Sequence, residues 1–180
     1  MTLENIETAR LLLRRWKERD KEPFAQMSAD PEAMKYLGGI WDKATSDNFI
    51  DRIEKHFDEF GYGMYALEHK QNKEFIGFTG LRNVPFNAHF TPAIEIGWRL
   101  APKFWRQGYA FEAASDVMQH GFKDLGLTEI VSFTSPVNVP SWGLMEKLGM
   151  KTDLKDNFRH PLVPKDDVLS EHVLYRLEKK

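Results

Sequence analysis

The chain contains no cysteine, which excludes disulfides, thiolate metal sites and a cysteine nucleophile together. Long hydrophobic runs are missing too: nowhere do about 18 apolar residues follow one another, so no membrane-spanning helix is expected. The opening residues MTLENIETAR have neither the basic nor the apolar region of a secretion signal, and no Asn-x-Ser/Thr sequon occurs. A cytoplasmic location is the simplest expectation. An excess of one charge is also absent. The 25 Lys and Arg against 27 Asp and Glu leave a net charge of −2, so no global field draws the chain toward nucleic acid. Basic residues are scattered, apart from Arg14-Arg15-Trp16-Lys17. Metal-ligand spacing is lacking: there is no His-Glu-x-x-His, and Glu171-His172 is too short to count. With no repeats, low-complexity tracts or linkers, 180 residues of which 42% are hydrophobic are expected to form one domain, 1–180, with a substantial core.

What the chain does have is concentrated in the run Ile94–Ala114, IEIGWRLAPKFWRQGYAFEAA. Ile94, Ile96, Trp98 and Leu100 alternate with period two, which predicts a half-buried strand. Pro102 breaks it, Arg106-Gln107-Gly108-Tyr109-Ala110 follows, and Phe111, Ala114, Val117, Met118, Phe122 and Leu125 then recur at helical spacing. Strand, short basic loop with one glycine, then helix is the sequence form of an anion site, because free amides and the positive end of the helix dipole meet there. The same pattern also fits a plain strand-to-helix turn that needs a glycine. Nucleotide-loop alternatives fail: Met150 stands where Gly143–Thr152 would need its lysine, and no Gly-x-Gly-x-x-Gly exists.

The remaining elements read as follows. Thr8 to Trp16 predicts a first strand, Arg19 to Ala29 a helix, and Pro31 to Leu37 a helical turn closed by Gly38-Gly39. Thr45 to Phe60 predicts an amphipathic helix capped by Thr45 or Ser46, with Phe49, Ile50, Ile53, Phe57 and Phe60 apolar and Gly61 at its end. Gly63 to Glu68 and Phe75 to Leu81 are strands joined by a polar turn, and Arg82 to Pro92 is irregular. Glu129 to Thr134 is a strand, Ser141 to Leu148 a short helix, Met150 to Thr152 a return to the sheet, Lys155 to Asp167 a polar loop, and Glu171 to Leu177 the last strand. This order predicts an α/β or α+β fold with a mixed sheet.

Asn138-Val139-Pro140-Ser141 and Met145-Glu146-Lys147-Leu148-Gly149-Met150 follow the strand at Glu129–Thr134. They join the Trp105–Ala110 loop, the TARLLLR opening, Ala29-Asp30-Pro31-Glu32, Phe75-Ile76-Gly77-Phe78 and Glu95-Ile96-Gly97-Trp98. In that order and spacing the chain resembles the GNAT N-acetyltransferase superfamily over essentially its whole length. It is most similar to the RimJ/RimL-like branch, which includes enzymes that acetylate ribosomal-protein N-termini. The family pattern Gln/Arg-x-x-Gly-x-Gly/Ala is met by Gly108 and Ala110, with Trp105 at the first position, as is usual in that branch. The resemblance implies a GNAT fold: a central, mixed, mostly antiparallel twisted sheet flanked by helices, splayed between its fourth and fifth strands. It implies acetyl-coenzyme A as cofactor, its pyrophosphate cradled beside Trp105 by the amides of Arg106, Gln107, Gly108, Tyr109 and Ala110. Trp98, Arg99 and Leu100 would pair with the pantetheine arm as a neighbouring strand does, and Asn138 would hydrogen-bond that arm, with Ser141 next to it. The implied acceptor is a primary amine, on a protein N-terminus or a small molecule, acetylated by direct attack in a ternary complex. Neither nucleic acid nor membrane is implied as a direct partner, and the expected state is a monomer or a homodimer.

Such a reaction asks little of the protein. An alkyl amine, with a pKa near ~10, arrives protonated and something must accept that proton; a peptide α-amine, near ~8, asks less. Holding amine and thioester in one cleft itself supplies roughly 7–11 kcal/mol of barrier lowering. Glu95 is the candidate base, acting through water; the alternative is an exposed carboxylate or an ion pair with Arg82. Many superfamily members use a tyrosine in the last helix as the acid for the thiolate, and Met145 stands there. Ser141 is the candidate substitute; it also fits a helix cap after Pro140. With that acid missing, an acyl-coenzyme A-binding sensor or scaffold without turnover is the alternative reading. His160 and His172 are possible acceptor-site residues, as are Trp41, Phe49, Trp142 and the Phe86–Phe90 loop, though Phe49 fits a core stripe. Asp153, Asp156, Asp166 and Asp167 read as a solvated loop face.

Overall fold

The computed structural model describes residues 5–179. Met1–Glu4, part of the opening read above as lacking a secretion signal, and Lys180 lie outside the described residues. Strands β1 (Ile6–Glu7) and β2 (Leu11–Arg14) come first; a 3-10 turn (Glu18–Asp20) then leads into helices α1 (Lys21–Ser28), α2 (Pro31–Met34) and α3 (Lys43–Phe60). Next come β3 (Met64–His69), β4 (Phe75–Asn83) and β5 (Ile94–Leu100), a second 3-10 turn (Pro102–Phe104) and α4 (Tyr109–Lys123). The chain continues through β6 (Glu129–Thr134), α5 (Val139–Lys147), β7 (Lys151–Thr152), β8 (Phe158–Arg159) and β9 (Glu171–Glu178).

The strands form a mixed sheet in the order β1-β2-β3-β4-β5-β6-β9-β7, with β8 beside β9. Among the described residues only β5 and β6 run parallel, and they pair at a single register, Glu95 opposite Val131. Ser132 Oγ donates to the Ile96 carbonyl at 2.9 Å; past that point the two strands no longer pair. This is the expected splay, displaced by one strand: it lies between the fifth and sixth strands of the chain. The displacement arises because the first strand, read from Thr8 to Trp16, is the shorter β2 and is preceded by β1, a strand at Ile6–Glu7 that the sequence pattern does not show. Thr8 turns the chain, accepting the Leu11 amide on its hydroxyl at 2.9 Å while its own amide donates to the Leu11 carbonyl at 3.0 Å. β1 and β2 thereby become a hairpin. Trp16 leaves the sheet, its indole donating to the Met64 carbonyl at 2.7 Å.

Helices cover both faces. Ala113, Ala114, Val117, Met118 and Gly121 form the buried stripe of α4, and the approach is close: a Cβ at Gly121 would lie 3.0 Å from the side-chain tips of both Ile130 and Leu81. Phe78, an odd number of residues from Leu81, points to the other face, where it packs on Phe24 of α1 and Phe49 of α3 with ring centroids 5.9 and 5.5 Å away. Each fully buried side chain such as Phe24, Leu67 or Ile96 contributes roughly 1.5–3 kcal/mol.

Several expectations shift. Phe111 and Phe60 are 44% and 41% exposed: each lies off the buried stripe of its helix. The cap of α3 is Asp42, whose Oδ1 accepts the Thr45 amide at 2.8 Å, rather than Thr45 or Ser46. Gly61 ends that helix at φ +77°, as expected. β4 runs on to Asn83 because Arg82 and Asn83 stay paired with Glu95 and Ile94. α5 starts at Val139, two residues early, and the long polar loop contains β8, tied to β9 through Phe158 and Arg159. Among the described residues, no helix is long and apolar enough to cross a membrane.

Candidate active site

The loop between β5 and α4 is shaped by two left-handed residues, Arg106 (φ +59°) and Gly108 (φ +82°). At Gly108 a side chain is strained, and an added Cβ would meet the Arg10 guanidinium at 3.4 Å. Among the described residues, the amides of 106–111 donate to no protein acceptor; the Glu112 amide is the first to do so, to the Gly108 carbonyl at 3.0 Å. Six consecutive free donors at the positive end of a 15-residue helix make a surface that attracts an anion.

Side chains brace this loop from behind. The Trp105 indole donates to the Leu100 carbonyl at 2.7 Å, and Gln107 Nε2 to the Lys103 carbonyl at 2.8 Å. Arg10 donates from Nη1 to the Gln107 carbonyl at 2.9 Å and lies 4.2 Å over the buried Tyr109 ring. Its Nε binds Glu112 Oε2 at 2.7 Å, while Glu112 Oε1 accepts from the Thr8 hydroxyl and from the Arg10 amide. Burial favours a protonated Glu112, but these donors outweigh it and hold its pKa below the ordinary carboxylate value. Sequence reasoning missed this clip. Thr8-x-Arg10 and Glu112 were visible, but nothing local joins the start of the chain to the first turn of α4.

The open edge of β5 lies beside the loop. The Ile96 carbonyl is taken by Ser132. Two residues on, Trp98 turns its N–H and C=O to the same edge, where β6 has parted. The structure separates Arg99 from Trp98 and Leu100, with which the sequence grouped it: Arg99 sits opposite Phe78 of β4, so its main chain faces away from the open edge. Asn138 stands at the parting, its amide bonded to the Ser135 carbonyl and its Nδ2 to Thr134 Oγ1, both at 2.9 Å. Its Oδ1 has no partner among the described residues. Ser141 is not the cap of α5. Asn138 holds that place, and Ser141 is the third helical residue, half-buried, with no hydrogen bond to its hydroxyl among the described residues. Met145 is 1% exposed and belongs to the core.

Facing pairs across β4 and β5 define a floor. Arg82 is opposite Glu95, Gly80 opposite Gly97, and Phe78 opposite Arg99, so all six share one face. Glu95, 7% exposed, receives Arg82 Nε at 3.0 Å and Nη2 at 3.3 Å; the charge on Glu95 raises the Arg82 pKa. The ion pair left open by the sequence is therefore present. Arg99 is surrounded by Trp41, Phe78, Phe24 and Phe49, its Cζ 4.5, 5.3, 5.7 and 5.7 Å from their ring centroids. Burial, helped by the charge of Arg82, pushes its pKa down to about 9, which leaves it charged at neutral pH. Trp41 and Phe49 are thus together, 5.2 Å apart; Trp142 is elsewhere, its indole on the Pro136 carbonyl.

Val131 shares the face of its partner Glu95, and so does Phe133 two residues along β6. Phe133 packs with Phe86, Phe158, His160 and His172. The two imidazoles lie 4.9 Å apart. Burial, then the charges of His172 and Arg82, push His160 down to about 4, and burial lowers His172 as well, so both rings are neutral at pH 7. Phe86 and Phe90 pack in the same cluster. In the polar loop Asp156 binds Arg176 at 2.8 Å, while Asp153 and Asp166 are exposed.

A mixed sheet parted beside a helix-capping loop of free amides is the geometry against which the family comparison stands. The chain belongs to the acetyltransferase (GNAT) domain family, which matches residues 10–151, and it is an N-acetyltransferase. It is 26% identical over 175 residues to the uncharacterized N-acetyltransferase YnaD of Bacillus subtilis, covering 96% of each chain. The crystal structure of an acetyltransferase from Agrobacterium tumefaciens is 27% identical, with a TM-score of 0.81 over 99% of this chain and 96% of that one. A RimL ribosomal L7/L12 α-N-protein acetyltransferase solved in complex with coenzyme A shares the fold at 16% identity, with a TM-score of 0.77 over 97% and 98%.

Proposed function

We propose that the chain acts as one cytoplasmic domain that transfers the acetyl group of acetyl-coenzyme A directly to a primary amine held in the same cleft. The observation that carries this reading is the row of six unpartnered amides at 106–111 beside the open Trp98 edge of β5. These residues fit coenzyme A. The amides of Arg106–Ala110 would hold its pyrophosphate, the Trp98 and Leu100 edge its pantetheine arm, and Asn138 Oδ1 an amide N–H of that arm. When bound, the group supplies a thioester carbonyl activated for attack by an amine.

The protein's own part is to bind, orient and move protons. Trp105, Gln107, Tyr109 and Arg10 keep the loop in shape, so its amides need no rearrangement on binding. Glu95 lies beside Gly97 on the floor. Arg82 holds it in place through two hydrogen bonds, and its remaining lone pairs can accept the proton of the incoming ammonium through water. The Ser141 hydroxyl, free in the first turn of α5, is the donor for the departing thiolate.

The test is thiol release from acetyl-coenzyme A against peptides with Ala, Ser or Met N-termini, polyamines, aminoglycosides and amino acids, with coenzyme A binding measured by calorimetry. Gly108→Val should abolish coenzyme A binding, and Glu95→Gln should lower kcat and shift the pH–rate profile. Unchanged affinity in the first would overturn the cradle; an unmoved profile in the second would remove Glu95 as base.

A further inference from the structure

Arg99 is charged, 9% exposed and without a carboxylate partner among the described residues. Its one hydrogen bond is long: Nη1 to Ser28 Oγ at 3.4 Å. Nε is sealed from solvent with no acceptor. Nη2 also donates to nothing among the described residues, but it is not sealed. Nε and Nη2 form one edge of the guanidinium, the edge that takes a carboxylate bidentately. Four aromatic rings offset part of the cost of burying the charge, but rings accept none of these donors' hydrogen bonds, and buried polar groups left unmet are costly.

An aromatic cage of this kind suits a cation, and here the protein's own cation fills it. The cage is therefore closed to the ammonium of an acceptor, and what it presents instead is an unmet positive edge. Arg99 shares its face with Glu95, about 13 Å along the strand at four residues' rise. Between them lie Gly97 and Gly80, which carry no side chains, and the flexible tip of Met64, whose Cε would be 3.3 Å from a Gly97 Cβ. A carboxylate pocket at one end, an apolar floor in the middle and a guanidinium edge at the other make a zwitterion-shaped surface.

We propose that Arg99 is the anion-binding end of the acceptor site and that the acceptor is a small amine which also carries a carboxylate, an amino acid or a close analogue. This rests on the acetyltransferase function proposed above. The ammonium faces Glu95, and the carboxylate accepts from the open Nη2 of Arg99.

The test titrates the coenzyme A-loaded protein with the common amino acids and their carboxamides by calorimetry, and measures thiol release with the same pairs. The wild type should prefer the acid over its carboxamide by about 10- to 100-fold, the loss of a charge-assisted pair. Arg99→Met should bring the ratio close to one while coenzyme A affinity stays within about twofold, and Arg99→Lys, should Met fail to fold, should retain part of the preference. Equal binding of acid and carboxamide by a wild type that takes up coenzyme A overturns the proposal and leaves the acetyltransferase reading standing, as does failure of every amino acid to bind. Absence of coenzyme A binding overturns the reading beneath it.

Discussion

Two buried arginines in this protein are treated in opposite ways. Arg14, 3% exposed, leaves the sheet edge into a complete set of acceptors. Its Nε binds Glu68 at 2.7 Å, Nη1 and Nη2 bind the two oxygens of Asp20 at 2.7 and 2.9 Å, and Nη1 also reaches the Arg15 carbonyl at 3.0 Å. Arg19 adds a second cation to Glu68. Arg99 has four aromatic rings and one distant hydroxyl. The fold can evidently satisfy a buried guanidinium when doing so serves the structure. Arg14 closes a network between β2, β3 and the turn before α1; Arg99, on the face that carries Glu95, is left with an edge to spare.

The largest effect should come from breaking the satisfied site. Arg14→Met strands buried Asp20 without its cation and leaves Glu68 to Arg19 alone, and should cost about 3–5 kcal/mol in urea unfolding. Arg99→Met in the ligand-free protein should change stability by less than about 1 kcal/mol, because lost cation–π contact and relieved desolvation oppose each other. Equal losses in the two variants would erase the contrast. A smaller effect should appear in acid. Burial tends to raise the pKa of Glu68, but the hydrogen bonds and charges of Arg14 and Arg19 outweigh it and hold it below 4.5. Its contribution is therefore full above the unfolded value and disappears as pH falls through the depressed folded one. The acid limb of a Tm–pH curve should flatten below pH 4.5 in Arg14→Met and keep its slope in Arg99→Met. The smallest effect concerns His160, held near 4 when folded against 6.5 otherwise. The unfolded chain binds the proton first, so stability is full above 6.5 and declines toward 4. His160→Phe should reduce the loss of Tm across that window, and an unaltered decline would assign it to other groups.

The contrast also marks where the sequence was legible. Period two puts Ile94, Ile96, Trp98 and Leu100 on one face, as the structure does, but Arg99 is grouped with Trp98 and Leu100 in the sequence reading, and alternation says nothing of what covers the face it shares with Glu95. That face is closed by Phe24, Trp41 and Phe49, which come from segments far away in the chain. The loop at Trp105–Ala110 could be read because strand, glycine and helix adjoin in sequence. Local sequence does not choose among Asp42, Thr45 and Ser46 because each side chain can accept a helix amide, and Ser141 fits a cap only for a helix beginning two residues later than α5 does. Arg14 reads in sequence only as part of a basic patch, because its partners Asp20 and Glu68 lie in segments the strand pattern does not connect.

The clip from Arg10 and Thr8 to Gln107 and Glu112 has a consequence beyond shaping the loop. Fluctuations that free the β1–β2 hairpin must break the same contacts that hold the amide row in place, so opening at either end is opening at both. A ligand seated on those amides lowers the population of all such openings by the factor 1 + [L]/Kd. Protection of the Leu11–Leu13 amides against hydrogen exchange thereby becomes a distant gauge of how full the loop is.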